Sequence, residues 1–298
     1  MLNGIIVIRK EAGYTSHDVV AKMRGICKQK KIGHTGTLDP QATGVLPVCL
    51  GSGTKLCDML TDKDKEYVAE LRLGVETDTQ DMTGKVLREA EVTATEEQVR
   101  EAVLQFQGDY DQVPPMYSAL KVDGKKLYEL ARAGKEVERK PRRVQILGIE
   151  ILEMKLPVVK MRVHCSKGTY IRTLCADIGS RLGCGGAMQS LVRTKVGQFT
   201  LEKAVTLQQL EAIRDEGKLE SVLYPVDSAF SGCPALTVSG TFEKLVNNGN
   251  PILPEHTVEK KVCAEGEWVR IYREDKSFVG VYAYDEGKER YQPVKMFL

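Results

Sequence analysis

Residues 33–44 read Gly33-His34-Thr-Gly-Thr-Leu-Asp39-Pro-Gln-Ala-Thr-Gly44, and one carboxylate, Asp39, stands in the middle. Glycines, small hydroxyls and a proline surround it, with neither helical nor strand periodicity, which is the composition of a loop. The residue before a proline is pushed into extended geometry, so Pro40 sets the backbone of Asp39. A loop that fixes a single acid in this way is a candidate active site. The alternative is a turn aspartate bonding its own backbone. The irregular stretch reads as running on to about residue 54.

Regular elements are legible on both sides. Ser16 is placed to cap a helix running to about Lys28, with Val19, Val20, Met23, Ile26 and Cys27 as its apolar stripe. Past the loop, a short helix is expected near 54–62 and a strand over Glu66–Leu73, with Tyr67, Ala69, Leu71 and Leu73 on one face. Thr95 with Gln98 forms a capping box for a helix ended by Gly108. Residues 112–143 change character: Pro114-Pro-Met-Tyr-Ser-Ala-Leu-Lys121 leads to a basic amphipathic segment and then Arg139-Lys-Pro-Arg-Arg143. That stretch reads as an excursion from a sheet. Strands follow at Val144–Leu152 and Val159–Cys165, then a helix from about Thr169 to Leu182. A boundary is expected near 225–235, with a tail whose short apolar strands have the size and pattern of a small β-barrel. The reading is therefore a large α/β (α+β) domain over 1–230 and a small β-barrel over 231–298.

Length and composition are those of an ordinary globular protein, with 298 residues and a net charge of only +2. The charge is unevenly spread. Residues 66–114 hold 4 basic and 12 acidic side chains, whereas residues 115–145 hold 9 basic and 4 acidic ones. Residues 1–65 hold 10 basic and 6 acidic. Two basic blocks around an acidic one point to a polyanion site, the alternative being a solvated, salt-bridged face. No stretch approaches the ~20 apolar residues of a membrane span, and Gly4–Ile8 is too short for a signal-peptide core. The eight cysteines form no Cys-x-x-Cys pair, which argues against a zinc site, and free thiols in a reducing cytoplasm are expected.

Asp39 needs partners. Tyr67 begins the apolar face of its strand, either as a core tyrosine or as a site residue. Arg172 falls in the first turn of its helix, where a cation opposes the helix dipole. An anion there would explain it, either Asp39 or a phosphate; otherwise its side chain bends away to the surface. His34 is open to three roles, as a base, a stacking plate or a turn residue. Gly51-Ser-Gly-Thr-Lys55 lacks the four residues that a Walker loop has between its outer glycines, so nucleotide binding is not expected.

These segments together resemble the tRNA pseudouridine synthase B (TruB) family. The resemblance rests on the 33–44 loop with Leu50-Gly51, Lys65-Glu-Tyr67, Gly74-Val-Glu-Thr-Asp-Thr-Gln-Asp81, Pro114 to Lys121, Cys165-Ser-Lys-Gly-Thr-Tyr-Ile-Arg-Thr-Leu174 and Leu191-Val-Arg-Thr-Lys-Val-Gly197. It covers about 1–225 strongly, and the tail resembles the family's PUA module more weakly. One departure is visible: Glu11 stands where the family's N-terminal motif usually has proline.

The resemblance implies a pseudouridine synthase domain on a mixed, largely antiparallel sheet, with 112–143 as a thumb gripping RNA. It implies isomerisation of the T-loop uridine, position 55, of tRNA after base flipping. Asp39 would be the nucleophile, Arg172 its ion-pair partner, and Tyr67 the ring stacked on the base and a candidate for proton abstraction. His34, Tyr170, Leu191, Lys10, Lys121, Lys125, Lys126, Arg142 and Arg143 would bind substrate. No cofactor or metal is implied, because atoms are only rearranged. The partner would be tRNA, its T arm at the site and its acceptor arm at the tail. A monomer is expected, with no membrane and no obligatory protein partner. Two other readings carry different signs: a non-catalytic RNA binder would lack Asp39, Tyr67 or Arg172, and a guide-dependent synthase would lack the full thumb.

Overall fold

The apolar run Val45–Leu50 is buried on both faces, and this makes it a strand, Thr43–Leu50, rather than part of a loop reaching residue 54. Ile32–His34 pairs with it from the other side of the loop. Gly51–Leu56 then forms a 3-10 turn and Cys57–Thr61 a short helix. The irregular backbone shrinks to residues 35–42, centred on Asp39. The computed structural model describes residues 1–122 and 124–298; Asp123, in the expected excursion, lies outside them.

A nine-stranded sheet organises the first 200 residues. From edge to edge it runs Gly4–Lys10, Thr43–Leu50, Gly186–Val196, Lys65–Leu73, Val158–Cys165, Arg142–Lys155 and Gly108–Gln112, with Ile32–His34 and Phe199–Thr200 attached off this path. Every pairing is antiparallel except that of Thr43–Leu50 with Gly186–Val196, where Val192 faces Thr43 and Arg193 faces Gly44. At that contact a Cβ on residue 44 would lie 2.1 Å from the Arg193 carbonyl oxygen, and φ there is +111°, so only glycine fits. The mixed, largely antiparallel sheet expected from the sequence is the one found. The Lys65–Leu73 strand alternates as read, with Tyr67, Ala69, Leu71 and Leu73 facing the core.

Helices cover the sheet. Glu96–Leu104, with its Thr95/Gln98 capping box, and Ile171–Arg181 bury their apolar sides on one core cluster. Ser16–Ile26 packs on another with Leu207–Asp215. Ser16 is not the cap: Thr15 makes a capping box with Asp18, and Ser16 turns inward. The helix ends at Ile26, two residues early, because Lys28 takes a left-handed φ of +48°. Arg142 and Arg143 belong to the Arg142–Lys155 strand, which starts earlier than Val144 because it pairs with Gly108–Gln112. The excursion proper holds a hairpin, Lys121–Val122 with Lys125–Lys126, and the helix Leu127–Arg132.

The tail forms a separate four-stranded sheet in the order Ala235–Thr237, Trp268–Tyr272, Phe278–Asp285, Arg290–Met296. Isolated bridges Ile252↔Tyr291 and Val238↔Thr257 tie the segment between them to the last strand and to the end of the first. The tail has its own core around Leu236, Val269, Ile271 and Tyr291. It also shares one with the large sheet, where Val226, Phe230, Val281 and Phe297 meet Leu56 and Phe199. Lys55 Nζ donates to the carbonyls of Met296 (3.0 Å) and Leu298 (3.1 Å) across that junction. No helix among the described residues is long and apolar enough to cross a membrane.

Candidate active site

The loop around Asp39 is held by backbone bonds from three directions. Ser16 Oγ accepts from the Leu38 amide at 2.9 Å, so the buried serine of the first helix anchors the residue before Asp39. The Gly13 amide and Lys10 Nζ both donate to the Pro40 carbonyl, at 2.9 and 3.0 Å. Lys10 Nζ also takes the carbonyl of Glu11 at 3.0 Å. Glu11, the departure from the family motif, thus contributes its backbone to the brace, while its side chain is exposed. Lys10, expected at the substrate, is almost fully buried beneath the loop, and burial lowers its pKa to about 8.

Asp39 does not bond back onto its own loop with its carboxylate. Oδ2 lies 3.0 Å from Arg172 Nε and Oδ1 3.4 Å from Nη2, a side-on pair on two oxygens. Arg172 sits in the first helical turn, as read, and resolves the dipole conflict by turning to anions and carbonyls. Nη1 donates to the Thr79 carbonyl (3.1 Å) and lies 3.6 Å from Asp81 Oδ2, and Nη2 donates to the Tyr117 carbonyl (2.7 Å). The arginine side chain is 7 % exposed and that of Asp39 38 %, so the cation is buried and the acid faces outward. Burial raises the Asp39 pKa; Arg172 and Lys10 pull it down, and Asp81 pushes it up.

The wall beside this pair is apolar. Tyr67 and Leu191 belong to one core cluster with Leu38 and Ala42 from the loop and Ile171 from the helix. Burial raises the Tyr67 pKa. Tyr170 precedes the helix and is clamped at its backbone by Gln112, whose Oε1 accepts from the Tyr170 amide (2.7 Å) and whose Nε2 donates to its carbonyl (3.0 Å). His34 Nδ1 accepts from the Gly36 amide at 3.3 Å, which leaves the ring proton on Nε2. Burial, then the neighbouring His17 and Arg193, lower its pKa to about 4, so the ring is neutral. His17 packs edge-on against it at 5.4 Å.

The basic residues of the excursion separate into two kinds. Lys121, Lys125 and Arg142 are exposed, and Lys126 is half-buried over the Tyr128 ring. Arg143 is exposed but engaged: Nε and Nη2 grip Asp111 at 2.6 and 2.8 Å, and Nη1 reaches Asp109 at 3.3 Å. Three residues of the site have no role in the sequence reading: Asp81, Gln112 and Arg193. Arg193 alone leaves a signal. It shares the core-facing alternation of its strand with Leu191, and a charge at such a position is rarely idle.

Residues 24–171 match the family model described as TruB family pseudouridylate synthase, N-terminal domain, and residues 172–231 match the tRNA pseudouridylate synthase B C-terminal domain. The chain belongs to the TruB family. It is accordingly an isomerase that converts uridine to pseudouridine. A protein of Lachnoclostridium phytofermentans called tRNA pseudouridine synthase B is 55 % identical over the whole of both chains. A protein of the same name from Alkaliphilus oremlandii is 49 % identical over 94 % of this chain and 92 % of its own. Among solved structures, a chain in an H/ACA ribonucleoprotein bound to a substrate RNA containing 2′-deoxyuridine superposes with a TM-score of 0.74 at 25 % identity, covering 99 % of this TruB family chain and 85 % of that one.

Proposed function

We propose that this enzyme isomerises the uridine at position 55, in the T loop of tRNA, with Asp39 as nucleophile. The observation that carries this reading is the Asp39–Arg172 pair, a half-exposed carboxylate on a buried, never-deprotonated guanidinium, set beside the apolar wall of Tyr67 and Leu191. Arg172 keeps the acid ionised against the cost of burial. In the reaction the bond from ribose C1′ to N1 breaks and one from C1′ to C5 forms; C5 loses a proton and N1 gains one. A carboxylate can hold the covalent intermediate that separates these steps. No redox or nucleotide chemistry is required by that balance.

The target base is stacked in folded RNA, and extruding it costs a few kcal/mol. Stacking on Tyr67 returns about 1–3 kcal/mol. His34, neutral with its proton on Nε2, supplies a hydrogen-bond donor rather than a charge, and Tyr170 and Leu191 complete the pocket. Lys121, Lys125, Lys126, Arg142 and Arg143 bind the backbone of the T arm. Residues 1–230 act as the catalytic unit with 112–143 as its thumb, and 231–298 as a PUA-like module on the acceptor arm. The enzyme works as a monomer in the cytoplasm without a guide RNA.

The test is the purified chain on an unmodified tRNA transcript carrying [5-³H]uridine. Release of one tritium per tRNA, mapped to position 55, is the expected result. No release from tRNA alone, but release after adding a guide ribonucleoprotein, would move the chain to the guide-dependent class. Binding without release under either condition would make it a non-catalytic RNA binder.

A further inference from the structure

Arg193 is 1 % exposed and stands first in size among the fully buried side chains of the described residues. A buried guanidinium is costly without a carboxylate, yet the hydrogen-bond partners of Arg193 among the described residues are neutral. Nε donates to the Val45 carbonyl at 2.7 Å and Nη2 to the Gly36 carbonyl at 3.1 Å. Its charged neighbours include Lys10 and Lys65, which it repels. An apolar side chain at this core position would avoid all of that, so the guanidinium does something a methyl group cannot.

What it holds is specific. Gly36 and Val45 bracket Asp39, and Arg193 draws both carbonyls onto one rigid, planar group on the Gly186–Val196 strand. Arg193 also lies directly opposite Tyr67 in the antiparallel register, so the two side chains leave the sheet on the same face, about 5 Å apart at Cβ.

We propose that Arg193 is a positioning residue for the isomerisation, fixing from one buried group, directly across the sheet register from Tyr67, both ends of the loop that carries Asp39. The proposal rests on the reading that Asp39 and Tyr67 act on the base. It differs from the role of Arg172, which acts on the Asp39 carboxylate itself.

Arg193→Lys keeps the charge and loses the planar fork, and Arg193→Gln keeps one donor and loses the charge. Both are checked for folding by thermal melting, then assayed well below their midpoints by single-turnover tritium release across a tRNA titration, beside wild type. The expected result is a folded variant whose saturated rate falls about 100-fold, the scale of a roughly 1 Å displacement of reacting groups, with the tRNA dissociation constant within threefold. A fall of less than tenfold at saturating tRNA in either folded variant overturns the proposal. So does a failure of both to fold, which would make Arg193 a stability residue. If wild type releases no tritium, the functional reading fails and this proposal falls with it; a silent wild type is thereby distinguished from an active one with unaffected variants.

Discussion

Arg172 meets Asp39 side-on, Nε to Oδ2 at 3.0 Å and Nη2 to Oδ1 at 3.4 Å, while its other edge faces Asp81 and two backbone carbonyls. One buried cation thus ties together the 35–42 loop, the 77–81 turn and the start of the thumb at Tyr117.

Asp39→Asn keeps the shape of the side chain and removes the proposed nucleophile. Single-turnover pseudouridine formation should become undetectable, with tRNA affinity within a few fold of wild type by filter binding. A rate even one hundredth of normal would remove Asp39 from that role.

Arg172→Lys keeps a cation but cannot span both carboxylate oxygens and the Thr79 and Tyr117 carbonyls at once. The saturated single-turnover rate should fall about 100-fold. If Arg172 instead bound an RNA phosphate, affinity would drop and the saturated rate would stay near normal.

Asp39 titrates above the ordinary carboxylate range because burial outweighs its cations. If Asp39 is the nucleophile, only its ionised form attacks, and the rate should fall as pH drops through that raised pKa. In Arg172→Gln, with the favourable cation gone, the acid limb should move to higher pH. His34, whose pKa is lowered to about 4, is neutral near neutral pH, so His34→Gln should lower the rate there by removing a hydrogen-bond donor and not a charge. A pH–rate profile of the three proteins checks both.

The basic residues of the proposed thumb should not be equivalent. Reversing Lys121, Lys125 or Arg142 should reduce the log–log salt slope of tRNA binding by roughly 0.7–0.9 for each phosphate that is no longer neutralised. Arg143→Glu should change the slope less, because its guanidinium is already engaged by Asp111 and Asp109. Equal slopes for all four variants would contradict the distinction.

Phe297 is buried beside Phe230 and Phe278 in the core shared by the tail and the large sheet. Phe297→Ala should destabilise the whole protein by about 3–5 kcal/mol, seen in a single denaturation transition, while the saturated rate remains normal. Two separate transitions would show that the tail is energetically independent.

Residue pattern alone makes several of these elements legible. The 65–73 strand declares its faces by simple alternation, and the Thr95/Gln98 box declares its helix. The Asp39 loop is visible through its lack of any period. Its length is not: Val45–Leu50 is apolar throughout, and only the neighbours that bury both faces make it a central strand. Ser16 reads as a cap because Thr15 and Ser16 are chemically interchangeable there; the Leu38 amide that claims Ser16 lies 22 residues away. Gln112 and Asp81 are silent for the same reason, since each takes its meaning from a partner far along the chain, and Arg193 shows only as a charge at a core-facing position.

The one parallel pairing of the sheet, Thr43–Leu50 against Gly186–Val196, joins strands separated by well over a hundred residues. Asp39 arrives on the earlier side of that seam, and Arg172, Leu191 and Arg193 on the later side. Closing so distant a pairing is entropically slow and comes after local hairpins and helices have formed. During synthesis the carboxylate is therefore made long before its cation. A nascent chain has no working centre until nearly two thirds of it has left the ribosome, and reactivity toward RNA switches on together with completion of the sheet.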